Sequence, residues 1–363
     1  MMLFSERWQN YSHSDLDDLP TYPRVVEIPE GLLFLVESRK KRVGPWSERA
    51  IILSHDPKYP QKIGIQVLPS RDGITRVVST LRSPSRVPVR IRETSSACYA
   101  EIWSSEELDW VCAVELKPGC RAASLLPYAN DRALAIGGWG HAPAENPFPS
   151  SEVVDINFSD CTTTVLTPFP QPIIRAHAFL LPSHQVFLLG GMSDYTREEI
   201  PEQQQTFIAS PPFDHWDTAD VPGIGRNGPV IAQVHDGDIL IAGGGDGVQE
   251  QATNSCRLYS TAENTWQDLA PSLNPRTFAG HVVIGNSVVV VGGTSRGYEW
   301  VQDAMSVAEV YDGDSDTWST LPSLNRERMC PTVAWLDNIG VIVAGGVGRQ
   351  GSGVTSIEIL AES

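Results

Sequence analysis

The residue types in this chain that could do chemistry recur at intervals. Arg121, Arg175, Arg226, Arg276 and Arg328 each stand a near-constant distance ahead of a glycine doublet, and Arg24 and Arg76 hold similar places earlier. A guanidinium is a fixed cation with a planar fork of donors, suited to carboxylates, enolates and other oxygen-rich ligands. If the repeats close into a ring, each contributes one such group near the mouth of its channel. Buried arginines also serve backbone carbonyls and neighbouring carboxylates, so only a few are expected to face a ligand. His177 lies two residues after Arg175, which on a strand puts both side chains on one face. The pair could exchange a proton with a hydroxyl while the cation steadies developing negative charge; a satisfied structural histidine is the competing reading. Arg175, His177 and Arg276 are the candidate catalytic residues, with Arg226 and Arg328 as substrate-binding partners. His281 follows Arg276 by an odd number of positions, points away from it, and is expected to pack.

The segments after the doublets are long and rich in aromatic residues: WGHAPAENPFP from Trp139, MSDYTREEIPEQQQ from Met192, DGVQEQATN from Asp246 and TSRGYEWVQD from Thr294. The turns of the other set, such as GNS at Gly285 and DGD at Asp236, are minimal. Long loops on a rigid frame are where binding concentrates, and Trp139, His141, Tyr195, Tyr298 and Trp300 complete the expected substrate-binding set. No HxH or HExxH spacing occurs among the eight histidines, so no metal site is expected. GGGDG from Gly243 lacks the GK[ST] of a phosphate loop. No cofactor is expected.

A net charge of −17 repels nucleic-acid backbones and anionic membranes. The expected partner is a small molecule, apolar with an oxygen-rich end, and a protein partner stays open. The N-terminal stretch MMLFSERWQNYS has no apolar run of secretory type, and the six cysteines form no CxxC pair. These two features predict free thiols and a cytoplasmic location.

The elements that must hold these groups are strands. The 30 Gly and 27 Pro imply many turns. VFLLGG, ILIAGG, VVVVGG and VIVAGG end at Gly191, Gly244, Gly293 and Gly346, and LAIGG ends at Gly138. This recurrence, about every 50 residues, is the period of a four-stranded propeller blade. An aromatic followed, after six intervening residues, by Trp marks the later half of each repeat, as Tyr259 and Trp266 or Tyr311 and Trp318, and more weakly as Ala209 and Trp216 or Phe158 and Val165. Before Gly138 the doublets are missing, yet Trp103 and Trp110 keep that spacing. ITRVVSTLRS falls where a doublet is expected, and PRVVEIPEGLLFLVES from Pro23 aligns with CPTVAWLDNIGVIVAGG, with Glu37 and Ser38 over Gly345 and Gly346.

SERWQNYS at Ser5 matches SDTWSTLP at Ser315, with Trp8 over Trp318. The expected fold is therefore all-β: one domain over 1–363, a seven-bladed propeller with approximate blades 20–68, 69–117, 118–170, 171–222, 223–272, 273–324 and 325–363. The last blade borrows residues 1–12 as its outer strand and so closes the ring. Six blades with a separately packed N-terminal segment are the alternative.

The doublets, the aromatic spacing and the preceding arginines resemble kelch repeats over essentially the whole chain. That resemblance implies the fold and very little function. Copper radical oxidases share such a ring, but the Tyr-His pair of their pattern is absent here. In overall character the chain also looks like the fungal hetero-Diels-Alderases of tropolone sesquiterpenoid pathways. That likeness implies cofactor-independent dehydration of a hydroxymethyl tropolone to a quinone methide and cycloaddition to a terpene. A kelch protein-interaction module, holding an acidic peptide at an arginine-rich mouth, is the alternative.

Overall fold

A computed structural model describes residues 4–11, 24–28, 31–39, 46–55, 63–67, 71–74, 76–82, 88–93, 97–116, 123–138, 149–174, 176–191, 205–220, 226–234, 237–246, 251–296 and 301–362. Among the described residues, seven antiparallel sheets of four or more strands follow one another along the chain, with a two-stranded sheet of Arg226–Asn227 and Gly245–Asp246 beside them. Blade one is Arg24–Ile28, Gly31–Arg39, Trp46–His55 and Ile63–Val67, with Arg71–Ile74 added to its third strand; blade two is Arg76–Arg82, Pro88–Glu93, Cys98–Ser104 and Asp109–Leu116. Blades three to six begin with inner strands Ser124–Ala129, His177–Leu180, Val230–Gln233 and Gly280–Ile284, and end with outer strands Thr162–Val165, Asp217–Asp220, Thr265–Leu269 and Thr317–Leu321. Blade seven runs Thr332–Leu336, Gly340–Ala344 and Ile357–Ala361, and Gln9–Tyr11 is its fourth strand. The fold is a seven-bladed β-propeller closed by its N-terminal strand.

Closure depends on Trp8. The side chain is 3% exposed among Val289, Val291, Val341 and Val343 of blades six and seven, and its indole donates to Pro322 O at 2.6 Å. Trp318 donates likewise to Ala270 O at 3.0 Å, so the match of Trp8 with Trp318 is a structural equivalence. On the other side, Leu336, Ile342 and Ile357 of blade seven pack on Leu32, Ile51 and Leu53 of blade one.

The aromatic spacing follows from a tight turn. Tyr259 faces Trp266, Tyr311 faces Trp318 and Trp103 faces Trp110 as cross-strand partners, with ring centroids 5.2 to 5.5 Å apart. Such pairs add about 0.5–1.5 kcal/mol beyond their burial. The doublets have a steric cause: a Cβ on Gly292 would stand 2.2 Å from Arg328 O of the next blade, the carbonyl to which Gly293 N–H donates at 2.9 Å.

Three expectations need correction. Residues 76–82 form the inner strand of blade two, so ITRVVSTLRS does not hold the doublet position, which follows Pro88–Glu93 instead. In blade one no doublet turn interrupts Gly31–Arg39, which pairs along its whole length with Trp46–His55. The thiols are not all free: Cys112 is bonded to Cys161 and Cys98 is also in a disulfide. Among the described residues no helix is long and apolar enough to cross a membrane.

Candidate functional site at the channel mouth

The inner strands stand side by side around the axis, and hydrogen bonds between their leading residues link the later ones at the mouth. Gly228 O accepts Phe278 N–H at 2.7 Å, and Phe278 O accepts Cys330 N–H at 2.7 Å. Phe278 and Cys330 both take positive φ, 54° and 50°. Burial pushes the Cys330 thiol up to about 11, which keeps it protonated at neutral pH and makes it a poor nucleophile.

Arg276 and Arg328 do not open onto this mouth, contrary to expectation. Arg276 is 3% exposed and Arg328 fully buried, and each is tied into its own blade. Arg276 reaches Gly292 O and Val307 O, at 3.4 and 3.3 Å, and pairs with Glu309 at 2.6 Å. Arg328 reaches Gly345 O, Ser356 O and Ser356 Oγ at about 3 Å, and pairs with Glu358 at 2.5 Å. Burial pulls both guanidinium pKa values down, and Glu309 and Glu358 oppose that pull. A buried pair of this kind spends its charge inside the fold.

The recurring arginine is also displaced in blade four. Gly244 N–H donates to Arg276 O and Gly293 N–H to Arg328 O, whereas Gly138 N–H donates to Ile173 O, all at 2.8 or 2.9 Å. Ile173, buried and apolar, therefore holds the arginine position of blade four, and Arg175 falls two residues past it. Arg175 itself lies outside the described residues, as do Trp139, His141, Tyr195, Tyr298 and Trp300.

Arg226 is in register, because Asn227 pairs with Gly245 as Thr277 does with Thr294. The carboxylate position of its blade has changed, however. Gly243 N–H donates to Ser255 O as Gly292 N–H does to Val307 O, so Arg257 stands where blade six has Glu309. Arg257 pairs instead with the exposed Asp268 at 2.7 Å.

His177 opens its inner strand with an exposed side chain. It is nonetheless ringed closely enough by protein for desolvation to lower its pKa; a channel admits water but less of it than bulk solvent. His281 is the residue that sequence reasoning missed. It is half-buried on the inner strand of blade six, and its pKa is pushed down to about 4, first by burial and then by His177, against a hydrogen bond with the Ile231 backbone.

Strand alternation explains how they meet. Phe179 and Leu181, on the His177 face, pack on Ile231 and Ile241 of blade five. Ala279 and Val283, on the His281 face, pack on Val230, Ala232 and Leu240 of the same blade. The two imidazoles thus approach blade five from either side, both neutral at physiological pH. A neutral imidazole can accept a proton at one ring nitrogen and donate at the other. The signal available in the sequence was the odd register of His281, which was compared with Arg276 rather than with the blade it faces.

The comparisons with known proteins support the scaffold. The family model described as Kelch motif matches residues 232–272 and 275–325. The chain is 27% identical over 110 residues to the F-box protein AFR of Arabidopsis thaliana, covering 27% of each chain. It is 29% identical over 94 residues to the Kelch-like protein terF of Aspergillus terreus, covering 25% of this chain and 20% of that one. The aligned segments thus span about a quarter or less of these curated relatives. Among solved structures, a fungal alcohol oxidase of the AA5 family in complex with copper superposes with TM-score 0.74 at 13% identity, covering 99% of this chain and 76% of the other. The likeness is one of fold, and the chain is a β-propeller that carries Kelch motifs at residues 232–272 and 275–325. Among the described residues no three His, Cys, Asp or Glu side chains gather to hold a metal ion, and at 13% identity the copper-bound neighbour shows the fold alone.

Proposed function

We propose that the protein is a small-molecule enzyme of secondary metabolism that works without a cofactor, with its site at the channel mouth beside blade five. The observation that carries this reading is the two neutral imidazoles of His177 and His281, the first held neutral by burial and the second by burial and then by His177, on strand faces that pack on blade five. In its finest form the proposal is a dehydrating hetero-Diels-Alderase. An imidazole donates a proton to a departing hydroxyl of a hydroxymethyl tropolone, the resulting quinone methide meets a terpene alkene, and confinement in one orientation supplies much of the acceleration. Arg175 and Arg226 are the cations proposed to hold the tropolone oxygens, and Trp139, His141, Tyr195, Tyr298 and Trp300 the walls for the apolar partner. Arg226 is favoured because the carboxylate position of its own blade is occupied by Arg257. Arg276 and Arg328 are left out, since both are committed to Glu309 and Glu358.

The second reading is a protein-interaction module, favoured by the F-box/kelch relatives. An acidic peptide at an arginine-rich mouth would need free cations that Arg276 and Arg328 do not offer. The test is turnover of a hydroxymethyl tropolone with humulene, followed by mass spectrometry. His177→Ala is expected to reduce kcat by about 10²- to 10⁴-fold with an unchanged melting temperature. Wild-type turnover in both His177→Ala and His281→Ala would remove both imidazoles from the mechanism.

A further inference from the structure

The junctions between later blades are joined at their outer edges by one recurring device. Trp318 of blade six donates to Ala270 O of blade five, while Asp316, in the turn before the outer strand of blade six, accepts from Ala270 N–H at 3.0 and 3.2 Å. Trp8 repeats the indole bond one junction further on. At the junction of blades two and three this device is missing. The position of the indole is held by Thr163, which pairs with Ile156 as Trp318 pairs with Tyr311, is exposed and carries no indole. There, Cys112 of blade two's outer strand is bonded to Cys161, in the corresponding turn of blade three. Cys112 is half-buried and Cys161 exposed, so the bond can be reached from solvent. The third strand of blade two carries a further disulfide-bonded residue, Cys98.

We propose that the junction of blades two and three is a covalent lock closed by oxidation, and that the ring gains its full stability only in an oxidising compartment. The oxidant is a small disulfide such as glutathione disulfide. The exposed Cys161 thiolate attacks it, releasing one glutathione thiolate, and the Cys112 thiolate then displaces the second from the mixed disulfide. Two protein thiols lose two protons and two electrons, and the glutathione disulfide is reduced to two thiols. The bond closes a loop with a sequence separation of 49 residues, long enough for its loss to free much chain entropy. Reduction would release the outer edge of blade three, whose inner strand adjoins the site: Ser124 Oγ donates to Ala176 O at 2.6 Å, one residue before His177.

The test uses the full chain, refolded with glutathione disulfide or held in dithiothreitol, beside Cys112→Ser/Cys161→Ser. Non-reducing peptide mapping of the oxidised wild type is expected to yield a linked peptide joining Cys112 to Cys161. Dithiothreitol is expected to lower the wild-type melting temperature by about 5 °C more than that of the double variant, the difference separating this bond from the one at Cys98. The first new proteolytic cuts on reduction should fall between residues 112 and 161. Lack of the linked peptide under oxidising conditions, or equal shifts in wild type and variant, would overturn the proposal. The peptide map decides the matter even if the double variant does not fold.

Discussion

Blades five to seven and blades one to three solve the same packing problem with different residues. In the later blades a doublet turns the second strand and an indole joins the outer edges, and in blades five and six a Tyr–Trp pair fills the hairpin. Blades six and seven add an arginine buried on a glutamate. In the earlier blades part of this work passes to other groups, although blade three keeps its doublet and blade two an aromatic pair. Blade two buries Arg90 on Glu101 at 2.7 Å, from strands that carry no kelch motif, with Arg92 on the other oxygen at 2.8 Å and Trp110 4.3 Å from the Arg90 guanidinium. Blade one uses one long hairpin, and blade three a disulfide. The repeat is thus a sufficient mark of a blade but not a necessary one. Where the arginine–glutamate pattern lapses, at Ile173 of blade four and Arg257 of blade five, the His177 and His281 strand faces pack on blade five from either side.

The largest expected effect breaks the ring that both regions share. Deleting residues 1–12 removes the fourth strand of blade seven and the buried Trp8, whose truncation alone would cost about 3–5 kcal/mol. A loss above about 5 kcal/mol by urea denaturation is expected, and an unchanged midpoint would contradict closure by this strand. Next comes the buried ion pair of the repeat. Arg328→Ala strands Glu358 and should cost about 3–5 kcal/mol, and Glu101→Ala in blade two should cost a comparable amount. Arg257→Ala breaks a pair with an exposed carboxylate and should cost less, about 1 kcal/mol. A cost for Arg328→Ala as small as that for Arg257→Ala would erase the distinction between the buried pair and the surface one.

A smaller effect concerns pH. His281 titrates near 6.5 when unfolded and at about 4 when folded. Between those values the unfolded chain binds a proton that the native one does not, so the stability contribution is complete above pH 6.5 and is lost as pH falls towards 4. The wild-type urea midpoint should fall more steeply than that of His281→Asn across this window; parallel curves would show a solvated imidazole. Smallest of all, Thr163→Val should change stability by no more than about 0.5 kcal/mol, because the disulfide beside it has taken over the junction.

The scaffold was legible where physics leaves few options. A Cβ cannot be accommodated at Gly292, and a tight turn fixes the partner of Trp318, so these residues announce their blades and even reveal Trp8 as a displaced strand. The site was less legible. Counting back from a doublet grouped Arg175 with the structural arginines because the spacing tolerates small shifts, and only the carbonyl contacted by Gly138 shows Ile173 in that place. The register of His281 relates it to its own strand, whereas its lowered pKa comes first from burial and then from a histidine two blades away. The disulfide joins residues far apart in sequence and has no local motif to give it away.

The central claim is that the proton-transfer groups are the paired channel histidines and not the recurring arginines. The most direct measurement is an NMR titration of the imidazole C–H resonances, assigned through His177→Asn and His281→Asn. The expected result is a His281 pKa near 4 that rises when His177 is replaced, with the wild-type His177 titrating below 6.5. A His281 that titrates near 6.5 and ignores the loss of His177 would contradict the account.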